Sequence, residues 1–199
     1  MKKIDTQYEK DKKRRTNQFI VGGILIFIML FSILGYAFQG SDDSNAKKII
    51  YNNFEFIQQE NYWVLNNYGE NNLKFTFKNN PKEIEGISSN VNDFNNYLNK
   101  PLYIYSEKSE AEIEIYNNLN SISQRIQHAC LDKEENLLGE LKCEDNLPIK
   151  NCEDNFIVIK ESNNSKIIQK VNCVFIQVAQ ENLTKITDEF LFKTLKIIK

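Results

Sequence analysis

Hydrophobic positions along the 199-residue chain follow three distinct patterns. From Phe19 to Phe38, FIVGGILIFIMLFSILGYAF, 20 residues pass without a charge. As a helix this block spans about 30 Å, the depth of a bilayer's hydrocarbon core. A buried core helix would interrupt such a run with polar residues. A signal peptide has a shorter apolar region ending at small residues, and Gly35-Tyr36-Ala37-Phe38-Gln39-Gly40 is a poor cleavage site. The block predicts a retained transmembrane helix over 18–38, with the lipid bilayer as its partner through Phe19–Phe38.

The second pattern is alternation. Phe54-Glu-Phe-Ile-Gln58, Tyr62-Trp-Val-Leu65 and Leu73-Lys-Phe-Thr-Phe-Lys78 read as strands, with Asn- and Gly-rich turns between them. In the third run Leu73, Phe75 and Phe77 share one face, so the three strands predict an antiparallel β-meander. Pro101-Leu-Tyr-Ile-Tyr105 is the next strand.

The third pattern is helical. Ala111, Ile115, Leu119, Ile122, Ile126 and Ala129 recur at helical spacing and predict a helix from about Ser109 to Cys130. Phe156–Lys160 and Lys166–Val178 read as two strands of a hairpin around residues 161–165. Leu183, Ile186, Phe190, Leu191 and Leu195 mark a last helix, with Asn182 as its N-cap. The expected fold is α+β: an N-terminal transmembrane helix, the antiparallel β-meander, and a β-α-β-β-α domain.

Charge supplies the orientation. Residues 1–17 carry seven basic and three acidic side chains, whereas residues 41–199 carry 18 basic and 24 acidic ones. Lys10, Lys12, Lys13, Arg14 and Arg15 precede the apolar block, and Asp42 and Asp43 follow it. The positive-inside rule then predicts a basic cytoplasmic stub over 1–17, a linker over 39–50 and an extracytoplasmic domain over 51–199. The expectation is a type II, single-pass protein of the cell membrane, with its N-terminus cytoplasmic and residues 41–199 outside. An acidic exterior domain gives no reason to expect nucleic acid.

All four cysteines, Cys130, Cys143, Cys152 and Cys173, fall in that exterior domain, which predicts two disulfides. Their spacings contain no CxxC pair, so zinc is not expected. In a hairpin symmetric about residues 161–165, Cys152 and Cys173 come almost opposite one another, leaving Cys130 for Cys143. A Cys143–Cys152 bond would staple the loop equally well.

The strings YNNFEF, YWV, LKFTF, NPKEIEGI, PLYIY, SQRIQHAC, LPIKNCEDNFIVI and NCVFIQV, ending in DEFLFKTLKII, occur in this order. Together they resemble a family of uncharacterised single-pass membrane proteins of small-genome archaea with a four-cysteine extracytoplasmic domain. The resemblance covers nearly all of 51–198 plus the anchor. It implies the architecture and no activity.

Candidate chemistry is sparse. No G-x-S-x-G elbow, H-E-x-x-H or P-loop is present. His128 is the only histidine, and the predicted helix keeps it away from Ser121 and Ser123. The echo Cys143-Glu-Asp-Asn146 and Cys152-Glu-Asp-Asn155 suggests calcium through Glu144, Asp145, Glu153 and Asp154, but lacks EF-hand spacing. No metal or cofactor is expected. Asn163 and Asn182 open glycosylation sequons, at about the frequency that 27 asparagines produce by chance. Arg125, the only arginine after the membrane block, and Trp63, the only tryptophan, are the candidate ligand or partner contacts.

The expected role is a non-catalytic binding or assembly module of the cell envelope that holds a protein or glycan. Two other readings are an extracytoplasmic hydrolase or metal-dependent enzyme, and a pilin-like filament subunit. Thr16-Asn17-Gln18 after Arg15 is a poor pilin processing site.

Overall fold

In a computed structural model, residues 7–38, 46–84 and 86–199 are described. They form two compact units divided between Asn45 and Ala46. Residues 1–6 of the predicted stub and 39–45 of the predicted linker lie outside the described residues. The first unit is one helix, α1 (Gln7–Phe38). Its apolar side chains from Phe19 to Phe31 are more than half exposed. Among the described residues it is the one helix long and apolar enough to cross a membrane.

The second unit is mixed α+β. It opens with a four-stranded antiparallel sheet, β1 (Lys48–Tyr51), β2 (Phe54–Gln59), β3 (Tyr62–Tyr68) and β4 (Leu73–Phe77). The first of these corrects the linker, whose last residues form a strand in register with β2. The tight β1–β2 turn holds Asn52 and Asn53 at φ 48° and 69°. Asparagine tolerates this left-handed region, and such turns match the twist of a hairpin. Alternation then places Phe56, Trp63, Leu65, Phe75 and Phe77 in the core.

A second sheet combines β5 (Pro101–Ser106), β6 (Arg125–His128), β9 (Asn155–Glu161), β10 (Lys166–Lys170) and β11 (Cys173–Val178). Its order is β10-β11-β9-β5-β6, and only the β10–β11 pair is antiparallel. A short parallel pair, β7 (Cys130–Leu131) with β8 (Ile149–Lys150), forms a third sheet.

Two sequence expectations fail here. The helix predicted to reach Cys130 is α2 (Ser109–Leu119), and residues 125–128 leave it to become the edge strand β6. Pairing with β5 outweighs the helical spacing, because Ile126 lies beside Leu102 and an edge strand needs few apolar positions. The expected 156–178 hairpin also divides differently. Its turn lies at Val171-Asn172 between β10 and β11, while β9 runs parallel to β11.

Helix α2 and the last helix, α3 (Leu183–Thr194), lie between the two large sheets. Toward the first sheet, Phe192 of α3 meets Phe77 at 4.4 Å and Phe56 at 5.9 Å between ring centroids. Toward the second, Leu102, Ile104, Ile157, Val174 and Ile176 join the same core. The opposite face of the second sheet, with Tyr103, Tyr105, Phe156, Val158 and Phe175, is covered by the cysteine-bearing loop through Leu138 and Leu141. Asn182 stands at the N-cap of α3, but its side chain makes no capping bond.

Every residue of α3 from Ile186 to Thr194 is buried, including Thr187, Asp188, Glu189 and Lys193. Thr187 Oγ1 donates to the Leu183 carbonyl of the same helix, while Asp188, Glu189 and Lys193 each bond to the chain that leaves β4. Asp188 Oδ2 accepts from the Asn79 amide at 2.8 Å and from Asn79 Nδ2 at 2.9 Å. Glu189 Oε1 accepts from the Ile87 amide. Lys193 Nζ donates to the Ser89 carbonyl at 3.4 Å and to the Lys199 carbonyl at 2.7 Å.

Val171 in the β10–β11 turn has φ 54° and is 68% exposed. A β-branched residue is strained there, whereas asparagine is not. Val171→Asn is expected to raise unfolding stability by about 1 kcal/mol. Urea denaturation of both proteins checks this, and an unchanged or lower midpoint for the variant contradicts it.

Candidate functional site

Three polar features compete for a role. The first is sealed inside the domain. Glu114 of α2 and Asp188 of α3 are both buried, and Glu114 Oε2 and Asp188 Oδ1 have no hydrogen-bond partner among the described residues. Burial pushes the Glu114 carboxyl up to about 7, with Lys78 pulling the other way. Burial and then repulsion from Glu114 hold Asp188 well above the usual carboxylate range, against the Asn79 hydrogen bonds. One turn along α2, the Asn118 amide clamps Thr76 of β4, accepting at 2.8 Å and donating at 2.7 Å. Enclosure keeps this pair from serving as a contact for a ligand.

The second feature lies on the opposite face of the second sheet. Arg125 Nη2 donates to the Tyr103 hydroxyl at 3.0 Å, and Lys150 Nζ lies 4.4 Å from the Tyr103 ring centroid. Hydrogen bonds from Arg125 and then Lys150 hold the phenol below its ordinary range. Lys150 also pairs with Asp154 at 3.4 Å.

The third is a cleft of about 930 Å³ in the loop between β7 and β8. Two disulfides fix its surroundings: Cys130–Cys143, with Cα atoms 5.8 Å apart, and Cys152–Cys173, at 5.0 Å. The second ties the turn before β9 to the start of its parallel neighbour β11, because Cys173 lies beside Phe156, four residues after Cys152. Hydrogen bonds hold the loop further. Lys160 Nζ donates to the carbonyls of Leu138 and Glu140 at 3.0 and 2.6 Å. The Lys142 amide donates to the Tyr105 hydroxyl at 2.9 Å, and the Cys152 amide to Glu135 Oε2 at 2.7 Å. Gly139, at φ 74°, turns the loop where a side chain would be strained.

The sequence-derived candidates scatter across these features. The two disulfides join the pairs that the hairpin argument suggested, although parallel strands, not a hairpin, bring Cys152 to Cys173. Arg125 opens β6 instead of lying on a helix, and it is exposed beside Tyr103. Trp63 is 4% exposed inside the first sheet's core, with Lys47 Nζ 5.6 Å from its ring centroid. His128 lies on the edge strand with Nε2 2.8 Å from Glu112 Oε1. Asn163 is exposed between β9 and β10, and Asn182 is half-buried.

Of the calcium candidates, Glu144 and Asp145 line the cleft, while Asp154 is engaged by Lys150. Among the described residues, the one acid, histidine or cysteine group close enough to share an ion is Glu135 with Cys152 and Cys173. A disulfide occupies both sulfurs.

Sequence reasoning assigned no role to Tyr103, Lys150 or Asp188, and Glu114 counted there only as one of the closely spaced carboxylates Glu110, Glu112 and Glu114 that a charged surface commonly carries. For Glu114 a signal existed: it lies three residues after Ala111 and four before Asn118, on the apolar stripe of α2. Compared with known proteins, the chain matches no family model, no curated protein and no solved structure.

The buried acids dictate a pH dependence. Their folded-state values are raised, so the folded protein holds protons that the unfolded chain releases. Their contribution is fully present below the ordinary carboxyl range and is lost as pH rises through about 7 for Glu114. The melting temperature should therefore fall from pH 5 to pH 8, and fall less in Glu114→Gln. A wild-type profile that rises over this window contradicts the assignment.

Proposed function

We propose that this chain is a membrane-anchored extracytoplasmic module of the cell envelope that binds or assembles a partner without catalysis. The observation that carries the reading is the doubly stapled cleft. It is an open concavity whose walls are held by disulfides and by hydrogen bonds to the sheet beneath. A preformed surface of this kind loses little freedom when a partner docks.

The anchor and its orientation support the same reading. An apolar helix with exposed side chains needs an apolar surrounding, which a bilayer supplies. Basic residues before it favour a cytoplasmic N-terminus, and disulfides favour an oxidising exterior. His128, the only imidazole, is engaged with Glu112 at a sheet edge rather than with a nucleophile. The partner is a protein or a glycan.

A membrane-impermeant cross-linker, applied to intact cells carrying a C-terminally tagged chain, tests the proposal. It should couple the tagged protein to one stoichiometric envelope partner. Recovery of the chain alone, or turnover of an envelope substrate by the purified full-length protein, overturns it.

A further inference from the structure

We infer that the stapled cleft docks an extended basic peptide with apolar side chains, an inference that rests on the binding reading above. The floor is apolar: Leu131, Leu141, Leu147 and Ile149 line it, of which Leu131 is buried, Leu141 and Leu147 are half-buried, and Ile149 is 73% exposed. Large apolar side chains left open in a concavity favour a partner that covers them.

Around this floor stand Asp132, Glu134, Glu140, Glu144 and Asp145, against a single base, Lys133. Among the described residues, none of these five carboxylates forms an ion pair. With five carboxylates against one lysine, the lining carries an excess of negative charge that a cationic partner would complement. Electrostatic complementarity of this kind selects a cationic partner and speeds its approach.

Backbone geometry favours a peptide over a compact cation. Among the described residues the β7–β8 pair, two residues in each strand, has no third strand beside it, and Ile149 of β8 lines the cleft. An open strand edge accepts an extended chain by backbone hydrogen bonding. In such a chain successive side chains point to opposite sides. Alternating apolar and basic residues would then meet the floor with one set and the acidic rim with the other. The loop is already fixed through Lys160 and Tyr105, so docking does not require it to fold first.

The test uses the full-length protein in nanodiscs of zwitterionic lipid and a fluorescent peptide of alternating Lys and Leu. Its Glu–Leu counterpart is the control, and fluorescence anisotropy is the readout at low and high salt. The Lys–Leu peptide should bind, weakening as salt rises, and the Glu–Leu peptide should not. The exposed-residue triple variant E134K/E144K/D145K should bind at least ~10-fold more weakly, and Glu60→Lys, in the distant β2–β3 turn, as the wild type does. A thiol count confirms that both disulfides persist in each variant.

Equal binding of the two peptides, or an undiminished triple variant, overturns the inference. Cross-linking in cells separates this failure from a failure of the binding reading. A partner captured equally by wild type and triple variant removes the cleft's role and keeps the reading, whereas no partner for either removes both.

Discussion

A helix buried on every side is the constraint around which the rest of the domain is organised. α3 lies between two sheets and still carries Asp188, Glu189 and Lys193 in its buried stretch. Each such group is costly to bury without a partner. The partners come from Asn79, Ile87 and Ser89, in the chain that crosses from the first sheet toward the second. Polar groups in the core thus fix the path of that crossing, while aromatic contacts such as Phe77 with Phe192 supply the apolar contact. The burial that secures the crossing also raises the proton affinity of Glu114 and Asp188.

What could be read from sequence was what depends on local pattern. The Leu73–Phe77 strand shows its buried face by simple alternation, and the uncharged run of α1 shows its length. Where a segment's fate depends on distant partners, local pattern misleads. Ile122, Ile126 and Ala129 fit a helix by spacing but serve a turn, a strand and a junction, because β5 offers a free edge to residues 125–128. Lys48–Ile50 looked like linker because its two isoleucines become part of a strand only beside β2.

The cysteines illustrate both sides. Even count and exterior position indicated two disulfides, and the suggested pairing of Cys152 with Cys173 is the one observed. Its geometric basis is different, since the bond ties the turn that enters β9 to the start of the parallel strand β11. Of the candidate site, Arg125 was legible as the only arginine after the membrane block, but its partner Tyr103 became visible only in the fold. The cleft itself has no sequence signature. It arises from where the loop is tied, through Lys160, Tyr105 and Glu135, residues that are far apart or unremarked in the chain.

The central claim is that α3 holds the crossing chain as firmly as it holds the core. Native-state hydrogen exchange at the Asn79 and Ile87 amides tests it most directly, because both donate to buried carboxylates of α3. The account predicts that these two amides exchange only with global unfolding, at the same free energy as the amides in the middle of α3. Exchange at rates typical of a surface loop, with α3 still protected, would contradict it.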